Sequence, residues 1–72
     1  MAIRELRRET YDGELDFVEL ACDDGDTTPT DNRPVTGIIT GSKCHVVNAT
    51  PPRIDAFSEE SGAWVLQMEL GS

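Results

Sequence analysis

The sequence predicts an all-β domain of five or six short antiparallel strands in hairpins, arranged as a small barrel or sandwich. Short apolar and β-branched runs recur along the chain at the spacing of 8–12 residues that is typical of such domains. Turn residues separate the runs, with Asp12-Gly13 and Gly41-Ser42 as the clearest pairs. The last run is the most regular, because Trp64, Leu66 and Met68 alternate strictly with other residues. This alternation makes the last strand the clearest one that the sequence predicts.

The N-terminal third of the chain is predicted to hold a basic arm and one central strand. Residues 1–10 fit either a short helix, in which Ile3 and Leu6 share a face, or an extended arm. No N-cap residue precedes them, which weakens the case for a helix. After the Asp12-Gly13 turn, residues 15–22 are predicted as a strand. Apolar side chains on both of its faces indicate a strand with neighbours on each side.

The remaining two thirds are predicted to contain one long loop and two hairpins. Residues 23–34 form an acidic loop rich in Thr, whose two prolines block regular pairing. The predicted hairpins join residues 35–40 to 43–49 and residues 54–57 to 63–70. With 72 residues, the chain is long enough for one domain only, spanning residues 1–72. So small a domain buries a limited core, and small domains often gain stability from a disulfide, a metal or oligomerisation.

Charge narrows the classes of partner. The formal net charge is −8, and one stretch without Lys or Arg carries eight carboxylates: Asp12, Glu14, Asp16, Glu19, Asp23, Asp24, Asp26 and Asp31. Such a surface repels phosphate backbones and anionic lipid, and it attracts cations and basic proteins. We therefore expect no direct nucleic-acid binding and no membrane association. No secretory signal is apparent, so we expect cytoplasmic synthesis, compatible with later incorporation into a particle.

The two cysteines allow three interpretations. Cys22 and Cys44 fall on separate predicted strands, and free cysteines commonly pack as small apolar residues. A disulfide between them would close a loop worth roughly 3 kcal/mol, although the expected compartment argues against it. A metal site using both thiols, His45 and a loop Asp is the third interpretation. Its spacing matches no zinc framework, because the chain contains no Cys-x-x-Cys pair.

Three weaker motifs also have simpler explanations. His45 is the only histidine, so any catalytic base of that type would have to be this residue, yet no triad-like spacing surrounds it. Residues 23–26 resemble the start of a calcium loop but lack the rest of the ligand spacing. Asn48 begins a sequence that matches the glycosylation motif. We expect surface roles for all three, and hence no enzyme, no cofactor and no small-molecule substrate.

The best candidates for partner binding are therefore charged. The basic candidates are Arg4, Arg7 and Arg8, and the acidic candidates are Asp23, Asp24, Asp26 and Asp31. The arginines either pair with carboxylates of their own chain or dock on the acidic loop of a neighbouring copy. We expect a non-enzymatic structural or interaction protein, a subunit of a larger assembly such as a viral particle or tail. The alternative is an acidic inhibitor that imitates nucleic acid and occupies a basic groove of a host protein.

Overall fold

The computed structural model describes residues 3–70, which form a single five-stranded sheet. The strands are β1 (Arg4–Thr10), β2 (Asp16–Cys22), β3 (Lys43–Val46), β4 (Arg53–Ser58) and β5 (Ala63–Glu69), and one turn of 3₁₀ helix spans Asp24–Asp26. The order across the sheet is β1-β2-β3-β4-β5. The predicted all-β class is therefore confirmed. The sheet is open, with β1 and β5 at opposite edges, and it does not close into a barrel.

One strand pair differs from the predicted antiparallel arrangement. β2 and β3 are parallel, with Leu20 opposite Cys44 and Cys22 opposite Val46. Parallel neighbours require a crossover connection of a dozen or more residues, and residues 23–42 supply it. The other neighbouring pairs, β1–β2, β3–β4 and β4–β5, are antiparallel. The acidic loop is thus part of the crossover that lies over one face of the sheet.

The predicted hairpin of residues 35–40 with 43–49 is wrong. Gly37 has φ +71°, which interrupts the β-branched run, and only Ile38 forms an isolated parallel bridge, to Asp16 at the start of β2. The turn that follows is closed by a hydrogen bond from the Ser42 amide to the Ile39 carbonyl. Gly41, with φ +98°, occupies its third position. The chain therefore enters β3 from the crossover.

Of the two alternatives for the N-terminal segment, the short helix is wrong and the extended conformation is the one observed. Residues 4–10 are extended and pair antiparallel with β2, so the basic arm is an edge strand whose every residue is exposed. The register shifts between Glu5 and Arg7, which marks a β-bulge. Met1 and Ala2, which the predicted arm includes, lie outside the described residues, as do Gly71 and Ser72 at the end of the predicted domain.

The core lies on one face of the sheet, beneath the crossover. Its members are Val18, Leu20, Cys22, Ile38, Cys44, Val46, Phe57 and Trp64. The opposite face, which we call the open face, carries the alternate side chains of the central strands: Phe17, Glu19, Ala21, Lys43, His45, Ile54 and Ala56. These residues are only partly buried. Among residues 3–70, therefore, a second layer covers one side of the sheet only.

Candidate interaction surfaces

The predicted basic candidates lie on β1, where carboxylates of the same chain engage two of them. Arg8 pairs with Glu5 and donates to Asp16 at 2.7 Å. Arg7 lies 3.6 Å from carboxylate oxygens of both Glu9 and Glu19. All of these pairs are at least partly exposed, and exposed pairs typically contribute about 0–1 kcal/mol each. Hydrogen bonds to Asp16 and Glu5 raise the pKa of Arg8.

Arg7 also stacks over an aromatic ring of the open face. Its guanidinium carbon lies 5.2 Å from the centroid of the Phe17 ring, within the range of a cation–π contact. Together with its carboxylate neighbours, this contact fixes Arg7 along the edge of the sheet. Arg4 lies on the same strand, opposite Ala21. The three arginines therefore share one edge strand rather than a separate docking arm.

The predicted acidic candidates lie in the crossover, where arginines of the same chain hold two of them. Asp24 accepts a hydrogen bond from Arg53 on β4 at 2.9 Å. Asp31 accepts from Arg33 through both of its carboxylate oxygens, at 2.9 and 2.7 Å. These contacts lower the pKa of Asp31, chiefly through the side-chain bond from Arg33. They also raise the pKa of Arg53, chiefly through the bond to Asp24.

The other two acidic candidates belong to the 3₁₀ turn at the start of the crossover. Asp26 accepts a hydrogen bond from the amide of Asp23 at 3.0 Å, which closes the turn. Asp23 also has a further interaction within the chain. Asn48, from the predicted glycosylation motif, accepts a hydrogen bond from the Asp24 amide at 2.7 Å. The turn is therefore anchored to the segment that follows β3.

Arg33 is the central residue of this arrangement, although nothing in the sequence distinguishes it from an ordinary loop residue. Its side chain is 3% exposed and donates to Asp55 of β4 at 2.8 Å, where the Asp55 side chain is 5% exposed. It also stacks over the Trp64 ring at 5.2 Å. Burial acts to lower the pKa of Arg33, but hydrogen bonds to Asp31 and Asp55 outweigh burial and raise it. Arg33 thus stays charged and links the crossover to the sheet.

The cysteines lie together in the core as free thiols. Their Sγ atoms are 3.3 Å apart, and both residues are fully buried. In the parallel register Cys22 faces Val46 and is two residues out of step with Cys44. Strand spacing and rise then separate the two Cα atoms by about 8 Å, beyond the usual limit of about 7 Å for a disulfide. The register therefore favours two packed thiols.

Two further predicted features have ordinary structural contacts. His45 lies on the open face, where its Nε2 is 3.4 Å from Glu19. Its side chain points away from the thiols, because successive residues of a strand face opposite sides of the sheet and the neighbouring Cys44 faces the core. No group of three or more His, Cys, Asp or Glu side chains within residues 3–70 is arranged to hold a metal ion. The same part of the chain contains no pocket.

A surface that the sequence interpretation missed lies along β5. Four large apolar residues are exposed there, and we call them the β5 surface: Val65 (47%), Leu66 (58%), Met68 (50%) and Leu70 (39%). Only Trp64 is buried among the residues of β5. A register shift between Ile54 and Asp55 of β4 places Leu66 opposite Asp55 and Met68 opposite Ile54. Leu66 is therefore on the core side of the sheet, and Met68 is on the open face.

This β-bulge interrupts the two-residue alternation that the sequence shows along β5. Trp64, Leu66 and Met68 alternate in sequence, but the extra residue in β5 moves Met68 to the other side of the sheet. One signal in the sequence does point to the surface: Val65, between Trp64 and Leu66, is also apolar. Apolar residues on both faces of a terminal strand are costly to leave in water unless something covers them.

Comparison with known proteins gives no relationship: no family model, curated protein or solved structure matches the chain. Within residues 3–70 no helix has the length and apolar character needed to cross a membrane.

Proposed function

We propose that the protein is a non-enzymatic interaction module that serves as a subunit of a larger protein assembly. The observation that carries this proposal is the β5 surface, on which Leu66 and Met68 are each at least half exposed. Clustered apolar groups of this kind, next to an unpaired strand edge, are typical of sites that another protein covers. A viral particle or tail is one assembly of this type, and incorporation there after cytoplasmic synthesis remains part of the proposal.

The distribution of charge supports the choice of β5 over the charged candidates. Asp24 and Asp31 of the crossover already pair with Arg53 and Arg33. Arg8 of β1 likewise pairs with Asp16. A partner that used these groups would have to replace contacts that the chain makes with itself, whereas covering the β5 surface displaces no ion pair described for residues 3–70. The predicted partner residues Arg4, Arg7, Arg8, Asp23, Asp24, Asp26 and Asp31 remain a secondary hypothesis.

The alternative function, an acidic mimic of nucleic acid, has less support. It requires a ridge of free carboxylates along the turn before β2 and along β2 itself. Asp16 and Glu19 of this ridge engage Arg8 and Arg7. Asp12 accepts hydrogen bonds from the amides of Glu14 and Leu15 at 2.9 Å, which lower its pKa. These carboxylates stabilise their own chain, so they are poorly placed to replace phosphates.

The sandwich predicted from the sequence stays a prediction, since residues 3–70 form one sheet, and we propose in addition that a partner supplies a second layer. The open face is covered by no second layer formed from residues 3–70, and Ile54 and Ala56 on it are only partly buried. A sheet of a partner protein lying on this face would complete a sandwich. Such packing is compatible with a contact that begins at Met68, which is on the same face.

The decisive experiment measures molecular mass by light scattering coupled to size exclusion, together with a pull-down from the host of the protein. The chain has a mass of 7.9 kDa. We expect either a stable multiple of this mass or specific capture of a host protein, in each case lost on Leu66→Lys. A monodisperse monomer at millimolar concentration that captures nothing would refute the proposed function. Steep loss of a captured enzyme with salt, unaffected by Leu66→Lys, would instead support the acidic mimic.

A further inference from the structure

The first part of the crossover is attached to the sheet without burying an apolar side chain. It spans residues 23–37, which we call the strap, and its only buried residues are Thr27 and Arg33. Val35 of the strap is 48% exposed. Ile38, the core residue that the crossover supplies, follows the strap. Because burial of apolar surface is the main favourable term in folding, the strap must depend on polar contacts instead.

Two arginines make the charged contacts that hold the strap. Arg53 of β4 donates to the Asp24 carboxylate at 2.9 Å and to the Thr27 hydroxyl at 3.0 Å. Arg33 of the strap donates to Asp55 of β4 at 2.8 Å. Each arginine therefore meets a carboxylate across the boundary between strap and sheet, and protonation of that carboxylate removes the attraction.

The strap lies over the two thiols and the tryptophan of the core. The guanidinium of Arg33 is 5.2 Å from the centroid of the Trp64 ring. Burial acts to lower the pKa of Arg33, while its contacts with Asp31, Asp55 and Cys44 raise it, so Arg33 also interacts with the Cys44 thiol. The Sγ atom of Cys22 is 3.3 Å from that of Cys44. Removal of the strap would therefore give solvent access to this part of the core.

The contacts just beyond the strap do not depend on charge. The Asp16 amide donates to the Gly37 carbonyl at 2.9 Å, and the Ile39 amide donates to the Asp16 carbonyl at 3.0 Å. The strand pairs are likewise joined through their backbones. Backbone amides and carbonyls do not titrate in the range where carboxylates do. Acid therefore acts on the strap and leaves the ladder hydrogen bonds of the sheet in place.

We propose that the strap is an acid-sensitive cover, which protonation of its carboxylates and of Asp55 releases from the sheet, exposing Cys22, Cys44 and Trp64 while the five strands stay paired. The inference does not rest on the proposed function. The ionisable groups on the two sides of this contact are Asp23, Asp24, Asp26, Asp31 and Arg33 of the strap, Cys22 of β2, Cys44 of β3, Arg53 and Asp55 of β4, and Glu69 of β5, which is opposite Arg53.

The direction of the pH effect follows from Asp31. The side-chain hydrogen bond from Arg33 lowers the pKa of Asp31 below its usual 3.8. The closed strap therefore binds fewer protons than the released strap. Its stabilisation is complete above pH 3.8 and is lost as the pH falls through the lowered pKa of Asp31. At neutral pH the strap is closed and the thiols are protected.

The test follows thiol labelling and strand structure together as the pH falls. 4,4′-Dithiodipyridine reacts with thiols in acid as well as at neutral pH, and mass spectrometry measures the labelled fraction. Relative to the urea-unfolded protein at the same pH, labelling should accelerate on the order of 10- to 100-fold between about pH 6 and pH 3, since each unit of pKa shift is worth tenfold. Far-ultraviolet circular dichroism should keep its sheet signal over this range.

Acrylamide quenching gives a second measure of release, because Trp64 is the only tryptophan of the chain. Quenching should increase over the same pH range as labelling. Labelling that stays slow down to pH 3 would overturn the inference. So would labelling that accelerates only as the sheet signal disappears, since the strap would then open by unfolding of the whole domain.

A charge-matched pair of double variants assigns the effect to the strap at a fixed pH. Asp24→Asn with Asp31→Asn removes two strap carboxylates that pair with arginines. Glu14→Gln with Glu60→Gln removes two exposed carboxylates outside the strap. At pH 6 we expect labelling about tenfold faster than wild type in the first double variant and within about twofold of wild type in the second. Equal rates in the two, or loss of the sheet signal in the first, would contradict the proposal.

Discussion

At the scale of single residues, the ion pair between Arg33 of the crossover and Asp55 of the sheet is the contact that most requires both of its partners. Arg33 and Asp55 are both almost fully buried and 2.8 Å apart. A buried ion pair adds little net stability when intact, because desolvation offsets the attraction, but removing one partner leaves an uncompensated charge. Asp31 and Arg53 complete the group, so that neither buried charge depends on a single partner.

The first prediction concerns this pair. Arg33→Ala should lower the free energy of unfolding by about 3–5 kcal/mol, because Asp55 would remain buried without its main partner. Arg7→Ala, which removes an exposed arginine, should cost about 1 kcal/mol or less. Urea denaturation followed by circular dichroism measures both. Similar losses for the two variants would show that the buried pair has no special weight.

A second prediction at this scale concerns the Cys22 thiol and pH. Burial, aided by the neighbouring Cys44, raises its pKa from the usual 9.0 to about 12. The folded protein therefore keeps this proton at a pH where the unfolded chain loses it. The stabilising contribution is complete below pH 9 and is lost as the pH rises towards 12.

Urea titrations at pH 8, 9.5 and 10.5 should accordingly show a falling free energy of unfolding. Cys22→Ala should show a shallower fall, since the alanine has no proton to lose. A thiol reagent should label the native protein only as fast as it unfolds. Rapid labelling of the native state, or identical pH slopes for the two proteins, would contradict this assignment.

At the scale of elements, strands whose apolar pattern is regular and local were predictable. Residues 15–22 and 54–57 were recognised because each is a short run rich in apolar side chains and bounded by turn residues, and they appear as β2 and β4. The failures have a different cause. Residues 35–40 have strand propensity, but Gly37 adopts a positive φ and the run docks beside Asp16. Propensity describes the residues and not the partner strand that is available to them.

Of the candidate site, the sequence predicted which charged residues take part but not how they pair. The sequence identifies Asp24, Asp31 and the arginines, but it cannot say which of them pair with each other across more than 20 residues of chain. Arg33 looked like an ordinary loop residue until the fold placed Asp55 beside it. The bulge in β5 is likewise set by packing against β4 and leaves no mark in the alternation of Trp64, Leu66 and Met68.

The prediction that belongs to this scale tests the break in the 35–40 run. Gly37→Ala should lower the free energy of unfolding by about 1–2 kcal/mol, because φ +71° is unfavourable for a residue with a Cβ atom. Gly25 provides the control, since it lies in the 3₁₀ turn with open space around its Cα. Gly25→Ala should be neutral or stabilising by less than about 1 kcal/mol. An unaffected Gly37→Ala protein would refute the positive φ at this position.

At the scale of the whole molecule, excess negative charge opposes the compact state. The net charge of −8 is confined within a chain of 72 residues, and self-repulsion of this kind destabilises folding. The ion pairs around Arg33 and Arg53 neutralise part of the crossover but leave most carboxylates exposed. Salt that screens the repulsion among carboxylates should therefore stabilise the folded state by more than it destabilises it through the exposed ion pairs.

We expect the thermal midpoint to rise between 10 mM and 300 mM NaCl, because this range brings the screening length from about 30 Å to below 10 Å. Differential scanning calorimetry on Leu66→Lys, which should prevent association through the β5 surface, isolates the effect on folding. Replacing NaCl with an uncharged solute of equal osmolarity serves as the control. A midpoint that falls with salt would indicate that attractive ion pairs outweigh the repulsion.

Because Arg53 and Asp55 contact the crossover, these contacts also determine the order in which parts of the chain can fold during synthesis. Hairpin β1–β2 uses only residues near one another in the chain, so it can form as soon as it leaves the ribosome. Asp24 and Arg33 must wait until β4 has emerged before they meet their partners. During that interval the acidic segment is an open chain accessible to proteases. A nascent chain whose emerged part ends before Arg53 should be cleaved between β2 and β3, and one extended at its end until Leu70 has emerged should resist cleavage there.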